Sequence, residues 1–414
     1  MRVFEEHGLK SRNEIFFVLA AAAIIMFIRK TDGFINPQFW AEDGNVVFLQ
    51  QYKQGFTALF NVHAGYLLLV PRIVGLISDL FFPYWAAPYV YNYSCIVITI
   101  LVIANIYSPR FNYEPKPLLA LTMVMVPYFG YEVGTSLVNV QWVLCILLVT
   151  NYLKEAPSEK YGNVSIQVAS DLIQLVLVGL TGPFIIFMTP FYLWRFLKEK
   201  NWYWFSILCS AAVVSSVQAA CILTSKLDLV SAGAGEWPKW TDLLEIVGVR
   251  LFGNLFLARS ITKRIYAYDA YILFCLFVPV IVLIFYKVGR MTKNVHAVIV
   301  FIGLSFLILI SALLKGRANL GIFMDVGGGA NSRYFYPLYV LITWSLLLCL
   351  SKGRKWTDYT IKVMLIAICI SSFFNHFHVR PMIDYKWSEY SKLIGKNDQL
   401  IIPINPPNWQ IKMK

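Results

Sequence analysis

The chain has 414 residues, 58% hydrophobic and only 14% charged, with a formal net charge of +13 and a mean hydropathy of +0.60. Soluble domains carry about a quarter charged residues, so this composition excludes an ordinary soluble enzyme. Apolar runs of bilayer length recur throughout, which makes the excess of Lys and Arg a topology signal rather than a nucleic-acid footprint.

The fold class that follows is an all-α polytopic membrane protein. Its first apolar run, Ile15–Ile28, leads straight into Arg29, Lys30 and Thr31 without a small-residue cleavage site, so it reads as a retained helix. Short connections dense in Lys and Arg should be cytoplasmic. They are the N-terminus (Arg2, Lys10, Arg12), Arg110 with Lys116, Lys154 with Lys160, Arg195 with Lys198 and Lys200, Lys287 with Arg290 and Lys293, and Lys352 with Arg354 and Lys355. Placing all six inside requires spans near 14–30, 86–107, 117–130, 138–153, 165–181, 183–197, 202–224, 268–286, 295–314, 336–350 and 359–374. That gives about eleven transmembrane helices, with the N-terminus inside and the C-terminus outside. Arg29 and Lys30 then fall on the outer side, against the charge rule.

One apolar run is set aside to keep this parity. Gly65–Phe82 carries Pro71-Arg72 in its middle and Asp79 near its end. A central Arg costs about 2.5–3.5 kcal/mol on insertion scales, so the run reads as an interfacial helix with Arg72 either snorkelling or holding a phosphate. The break at Thr181-Gly182-Pro183 is the kind tolerated beside a binding cavity. The division is then a multi-pass domain, 1–374, with a first outer loop at 31–85, and a short outer tail, 375–414. The proline spacing of the tail's IPINPPNW predicts a strand-and-turn cap. All seven cysteines fall in apolar runs, so no disulfide framework is expected, and no internal repeat is visible.

The informative polar residues gather on the outer side. The first loop holds Glu42, Asp43, His63, Tyr66 and Arg72; the second holds Glu132 and Asn139. The third, 225–267, holds Glu236, Trp237, Asp242, Arg250, Arg259, Lys263 and Arg264, and a fourth holds Asp325 and GGGANSRYFYP. Within NPQFWAEDGNVVF, Phe39, Trp40 and Phe48 would raise the pKa of an adjacent carboxylate by desolvation, and Gly44 would let a ligand approach the backbone. A general base here, with Arg72, Arg333, Lys263 and Arg264 as cations for a phosphate, describes glycosyl transfer from a lipid phosphate. The plainer readings are an acidic helix start for Glu42-Asp43, helix ends for Glu132 and Asn139, and surface histidines for His63, His376 and His378. Nothing beyond the adjacent carboxylates looks like a metal site.

WAEDG with a following Phe, then GY and PR some twenty residues on, a Gly-rich segment ending in SRYFYP, and IPINPPNW resemble the GT-C class of polyprenyl-phosphate-sugar-dependent glycosyltransferases. The likeness is greatest to bacterial O-antigen-modifying, serotype-converting glucosyltransferases. It covers most of the chain by architecture and four short stretches by motif.

The resemblance implies an inverting hexosyltransferase of the bacterial inner membrane that acts on the periplasmic side without a cofactor. Its donor would be a polyprenyl-phosphate-linked sugar and its acceptor a lipid-linked or surface glycan. A flippase and a donor-synthesising glycosyltransferase would work with it, and nucleic acid would not be a partner. Asp43 or Glu42 matches the acidic base of the first outer loop; Arg333 and Tyr334 match the donor-phosphate residues, with Arg72, Lys263 and Arg264 beside them. Trp40, Tyr66, His63, Glu132 and Asn139 are the candidates for substrate binding. The large DxD- or WWD-bearing soluble domains of oligosaccharyltransferases are missing, which argues against protein N-glycosylation. The rival readings are a transporter or flippase for a lipid-linked sugar, and an O-antigen polymerase or ligase. The transporter requires ionisable groups at mid-membrane, where Asp171 is the only acidic candidate.

Overall fold

The computed structural model describes residues 2–128, 131–225, 239–291, 293–315, 332–350, 356–377, 379–396 and 399–413. Glu236, Trp237, Asp325, the glycines 327–329, Lys352, Arg354, Lys355 and His378 lie outside the described residues.

The described chain is mostly helical. Each segment expected to span is a helix: Arg2–Arg29, Ala87–Asn105, Lys116–Met125, Val140–Leu153, Val164–Gly179, Phe184–Glu199, Trp202–Thr224, Ala270–Val288, Val295–Lys315, Tyr336–Cys349 and Trp356–His376. Several begin on side-chain caps that occupy an orphan N–H of the first turn. Asn163 accepts from the Ile166 N–H at 3.1 Å, Asn201 from Trp204 at 2.9 Å, and Asp269 from Tyr271 at 2.8 Å. Among the described residues four helices are long and apolar enough to cross a membrane: Tyr84–Asn105, Trp202–Thr224, Tyr271–Val288 and Trp356–Asn375. Lys116–Met125 is not. At about 1.5 Å per residue it reaches roughly 15 Å of the roughly 30 Å of hydrocarbon, and irregular chain follows it.

By its contacts the chain divides into two compact units. The first comprises Met1–Ile25, Ile106–Gly130 and Asp228–His378; the second comprises Met26–Asn105, Tyr131–Leu227 and Val379–Lys414.

In the second unit the first loop and the C-terminal tail share one core. Phe39, Val47, Phe48, Leu68, Tyr91 and Leu137 pack with Trp387, Ile402, Ile404 and Ile411. The tail folds as an antiparallel hairpin, β3 (Leu400–Ile404) and β4 (Trp409–Met413), in which Ile402 faces Ile411. Strand alternation turns Leu400, Ile402, Ile404, Ile411 and Met413 inward and leaves Ile401, Gln410 and Lys412 exposed. Asn405 fixes the hairpin to the loop, accepting from Ala41 N–H and donating its own N–H to the Phe39 carbonyl. A short hairpin, β1 (Val62–His63) and β2 (Tyr66–Leu67), precedes the helix Leu69–Phe81.

That helix corrects the snorkelling reading of Arg72. Pro71, Arg72, Gly75 and Ser78 form its buried face, and the side exposed to the surroundings is apolar: Ile77, Leu80, Phe81 and, just beyond, Phe82. Its 13 residues reach roughly 20 Å, too short to cross. Arg72 thus points into the protein rather than along the surface.

The break at 181–183 is not a cavity either. Leu68 bridges Thr181, Gly182 N–H donates to the Leu67 carbonyl at 3.0 Å, and Leu69 N–H donates to Leu180. Gln218, fully buried on Trp202–Thr224, accepts from Leu67 N–H at 2.9 Å and donates to the carbonyls of Gly179 and Gly182. Buried backbone at an interrupted helix persists only when its polar groups are satisfied. Here the first loop and one glutamine side chain do so.

Gly44 is needed for packing, not for ligand approach. A Cβ there would lie 2.9 Å from Ile404 Cδ1 and 3.0 Å from Ile411 Cδ1. Gly44→Val is expected to lower stability by about 1–3 kcal/mol through overpacking. Thermal unfolding in detergent reads this, and an unchanged midpoint would mean the hairpin is not seated there.

In the first unit the helices Ala270–Val288 and Trp356–His376 pack on the segment 240–256, and Tyr339 of Tyr336–Cys349 donates its hydroxyl to the Arg250 carbonyl at 2.6 Å. Trp344 donates its indole N–H to the Leu119 carbonyl at 2.9 Å, and Tyr336 Oη donates to Met123 at 3.0 Å. A buried ion pair joins Lys287 and Asp358.

Candidate functional site

Asp43 begins a π-helical turn, Asp43–Phe48, and is 1% exposed. The chain enters it through Ala41 at φ 44°, a left-handed conformation rare for a residue with a Cβ and found where the surrounding fold enforces it. The carboxylate meets the segment before the helix Val140–Leu153. Its Oδ1 accepts the Val138 N–H at 2.8 Å and the Ser136 hydroxyl at 3.3 Å; Oδ2 accepts the Leu137 N–H at 3.0 Å. Asn139 donates to Ser136 Oγ at 2.9 Å, so the serine proton is left to face Asp43. Burial pushes the Asp43 carboxyl from its ordinary 3.8 up to about 7, against the pull of the Val138 and Leu137 N–H groups, with the charge of Glu42 adding to the rise. A carboxylate offers about four acceptor positions; three are filled, leaving room for one more donor.

The same unit buries the cations Arg29, Lys30 and Arg72, the first two of which the charge rule had treated as an exception, and among the described residues they connect to Asp43 only through shared neighbours. Lys30 donates to the Val133 carbonyl and lies 5.7 Å from the centre of the Tyr131 ring. Arg29 and Glu132 are both within electrostatic range of its ammonium. Cys95 is within electrostatic range of both Asp43 and Lys30, and Tyr91 within range of Asp43 and Arg72. Arg72 is fully buried, donating to Gln50 Oε1 at 2.5 Å and to the Val46 carbonyl at 3.5 Å. Burial pushes its pKa down to about 10, so it stays charged at neutral pH. Among the described residues its Nε and the Tyr91 hydroxyl have no hydrogen-bond partner, a condition that in a native protein calls for a ligand or water.

The other second-unit candidates sort by what they touch. Asn139 positions Ser136, and Glu132 is buried in the field of Lys30. Trp40 packs on Tyr131 at 5.6 Å. Tyr66 Oη accepts from Gln141, which also donates to Val138, so it is tied to the same loop. His63 pairs across the short hairpin from Tyr66 and is half-exposed. Glu42 is half-buried beside Asp43.

Arg333, Tyr334, Lys263 and Arg264 belong to the first unit. Arg333 lies over the ring of Tyr334 at 5.4 Å in the 3₁₀ turn Ser332–Phe335. Lys263 and Arg264 are exposed on the helix Arg259–Tyr268. Arg250 is fully buried in that unit and lies 4.7 Å from the Phe335 ring centre.

Arg29, Lys30, Tyr91 and Ser136 were not singled out from sequence as site residues. For Arg29 and Lys30 the signal was present, since two basic residues on the side that the charge rule forbids call for a local reason. Comparison with protein-family models, with curated proteins and with solved structures finds no match for this chain.

Proposed function

We propose that the chain is an inverting glycosyltransferase that moves a sugar, a hexose such as glucose, from a polyprenyl-phosphate donor to a surface glycan. The observation that carries this reading is Asp43: a buried carboxylate fixed by two backbone N–H groups, with a pKa of about 7, in a unit that also buries Arg72 and leaves the Tyr91 hydroxyl unpartnered among the described residues. A base works best with a pKa near the operating pH. In the reaction, Asp43 takes the proton of the acceptor hydroxyl as its oxygen attacks the anomeric carbon. The bond from that carbon to the phosphate oxygen breaks, and the electron pair leaves with the lipid phosphate. Arg72 supplies positive charge for the departing phosphate, and Tyr91 supplies a hydroxyl donor. The site is closed, so substrate entry requires the Trp40–Asp43 turn or the 131–139 segment to move.

The transporter reading loses its main support at Asp171. That residue accepts from the Tyr203 hydroxyl at 2.7 Å and lies 4.0 Å from Lys154, which identifies it with a structural ion pair rather than a free mid-membrane carboxylate.

The direct test reconstitutes the purified protein in liposomes with polyprenyl-phosphate-glucose and surface polysaccharide. Labelled glucose should appear in the polysaccharide with stoichiometric release of polyprenyl phosphate; no transfer with any hexose donor contradicts the proposal. The acid limb of kcat/KM should follow Asp43 and rise with pH through about 7. Ser136→Ala removes a donor that lowers the Asp43 pKa, so it should move that limb to higher pH with the fold kept. A limb that does not move would assign the pH dependence to another group.

Eleven crossings, the third completed by the irregular chain that follows Lys116–Met125, with 31–85 and 375–414 outside, complete the proposal. Lys53 and Lys198 are both exposed. A cysteine at Lys53 should react with an impermeant maleimide on intact cells, and one at Lys198 only after permeabilisation. The reverse pattern overturns the sidedness.

A further inference from the structure

Outside the Asp43 network, the second unit holds an open cleft of about 650 Å³ between the turn after Asp43 and the tip of the β3–β4 hairpin. Asn45 and Leu49 line one side, and Asn408, Trp409, Gln410 and Lys412 the other. The lining combines three amide side chains, one indole and one ammonium with Leu49 and Pro407, and no acidic group among the described residues. Asn408 adopts φ 75°, and Gln410 and Lys412 alternate outward from a strand whose Ile411 is fully buried. Trp409 is half-buried, one part of its ring packed on the core and the rest left to the cleft. Asn45 Oδ1 is buried with no hydrogen-bond partner among the described residues, which leaves its acceptor capacity unused beside the cleft.

We infer that this cleft is a remote subsite for the acceptor glycan, holding sugar units beyond the one that reacts. The identity of the ligand rests on the glycosyl-transfer reading; the site itself rests on its lining. Amides that both donate and accept match the vicinal hydroxyls of a sugar, and a fixed indole face matches its C–H side. The lack of carboxylates and the presence of Lys412 favour a neutral or anionic chain over a cationic one. Asn45 and Asp43 are two residues apart, so they project to roughly opposite sides of a helical turn. The cleft is therefore not where the hydroxyl is deprotonated. Its contribution is binding by parts of the substrate remote from the chemistry. This also gives a use to the tail motif INPPNW, which the Asp43 site leaves unexplained.

The test is equilibrium binding by the full-length protein in detergent micelles. The probe is polysaccharide released by mild acid from cells that make the acceptor but lack this protein; dextran is the control. Wild type and Asp43→Asn should bind the polysaccharide saturably. Trp409→Ala should weaken binding about tenfold or more, as loss of a central aromatic contact does. Gln410→Ala and Lys412→Gln change only exposed side chains and should weaken it several-fold, so the test stands even if Trp409→Ala folds poorly. Release of sugar from donor to water should be unchanged in all three. Binding by wild type that is no stronger than to dextran, or that survives Trp409→Ala, Gln410→Ala and Lys412→Gln unchanged, overturns the subsite. Loss of binding in these variants while Asp43→Asn transfers normally would leave the subsite standing and sink the assignment of the base.

Discussion

Asp43→Asn is expected to lower sugar transfer by about 10²–10⁴-fold and to change stability in a way that depends on pH. The structure makes Asp43 an anchor for the 136–138 segment, whatever its part in the chemistry. An asparagine oxygen at the Oδ1 position still serves Val138 and Ser136, but its amide N–H₂ then opposes the Leu137 N–H. Two buried donors face to face cost about 1–3 kcal/mol. Against this, the wild-type carboxyl carries an ionisation penalty, because its folded pKa of about 7 lies above the ordinary 3.8. A raised carboxyl pKa means that the folded state holds its proton more tightly than the unfolded one. The associated stability is fully present below about pH 4, falls as pH rises toward 7, and is then constant. At about 1.36 kcal/mol per pH unit the fall approaches 4 kcal/mol at most. The Asp43→Asn variant has no such slope. Unfolding midpoints in detergent from pH 4 to pH 8 should therefore favour wild type at the acid end and converge or cross near neutrality. A difference that is flat across this range would mean that Asp43 ionises as an ordinary surface carboxylate.

Arg72→Met should all but abolish donor use while leaving the protein as stable or more so. Arg72 is fully buried, and among the described residues no carboxylate pairs with it; its bonds run to an amide and a carbonyl. A buried charge with no counter-charge is expensive, and an apolar side chain of similar length removes that cost. Had Arg72 only a packing role, methionine would be silent in activity. If it supplies charge to the departing phosphate, turnover should fall about 10²–10³-fold, the range for a lost electrostatic stabiliser. The informative result is activity and stability moving in opposite directions. A variant that loses both together would make Arg72 a structural residue.

Much of the helical pattern was readable because apolar runs of the right length have few alternatives. The tail hairpin was readable for a similar reason, from prolines and asparagine that stop a helix. The first-loop carboxylate stood out because Glu42-Asp43 interrupts an aromatic stretch. What sequence concealed are facts of long-range packing. Whether Arg72 snorkels or turns inward depends on which face of Leu69–Phe81 is covered, and Gln50 and Val46 cover it. Gly44 resembles a ligand-approach glycine until Ile404 and Ile411 occupy its open side. Ser136 sits in an ordinary-looking turn, and only the fold brings it to Asp43 across more than ninety residues. Arg29 and Lys30 defied the charge rule because that rule counts charges by loop, whereas these two are buried, Lys30 against Val133 and Tyr131.

The central claim, sugar transfer to a surface glycan with Asp43 as base, is tested most directly by the mass of the surface polysaccharide. It should be compared in cells with the protein, without it, and with Asp43→Asn made at equal level. The repeating unit should be heavier by one hexose in the first case and unmodified in the other two. Polysaccharide of the same mass with and without the protein, or full modification by Asp43→Asn, would contradict it.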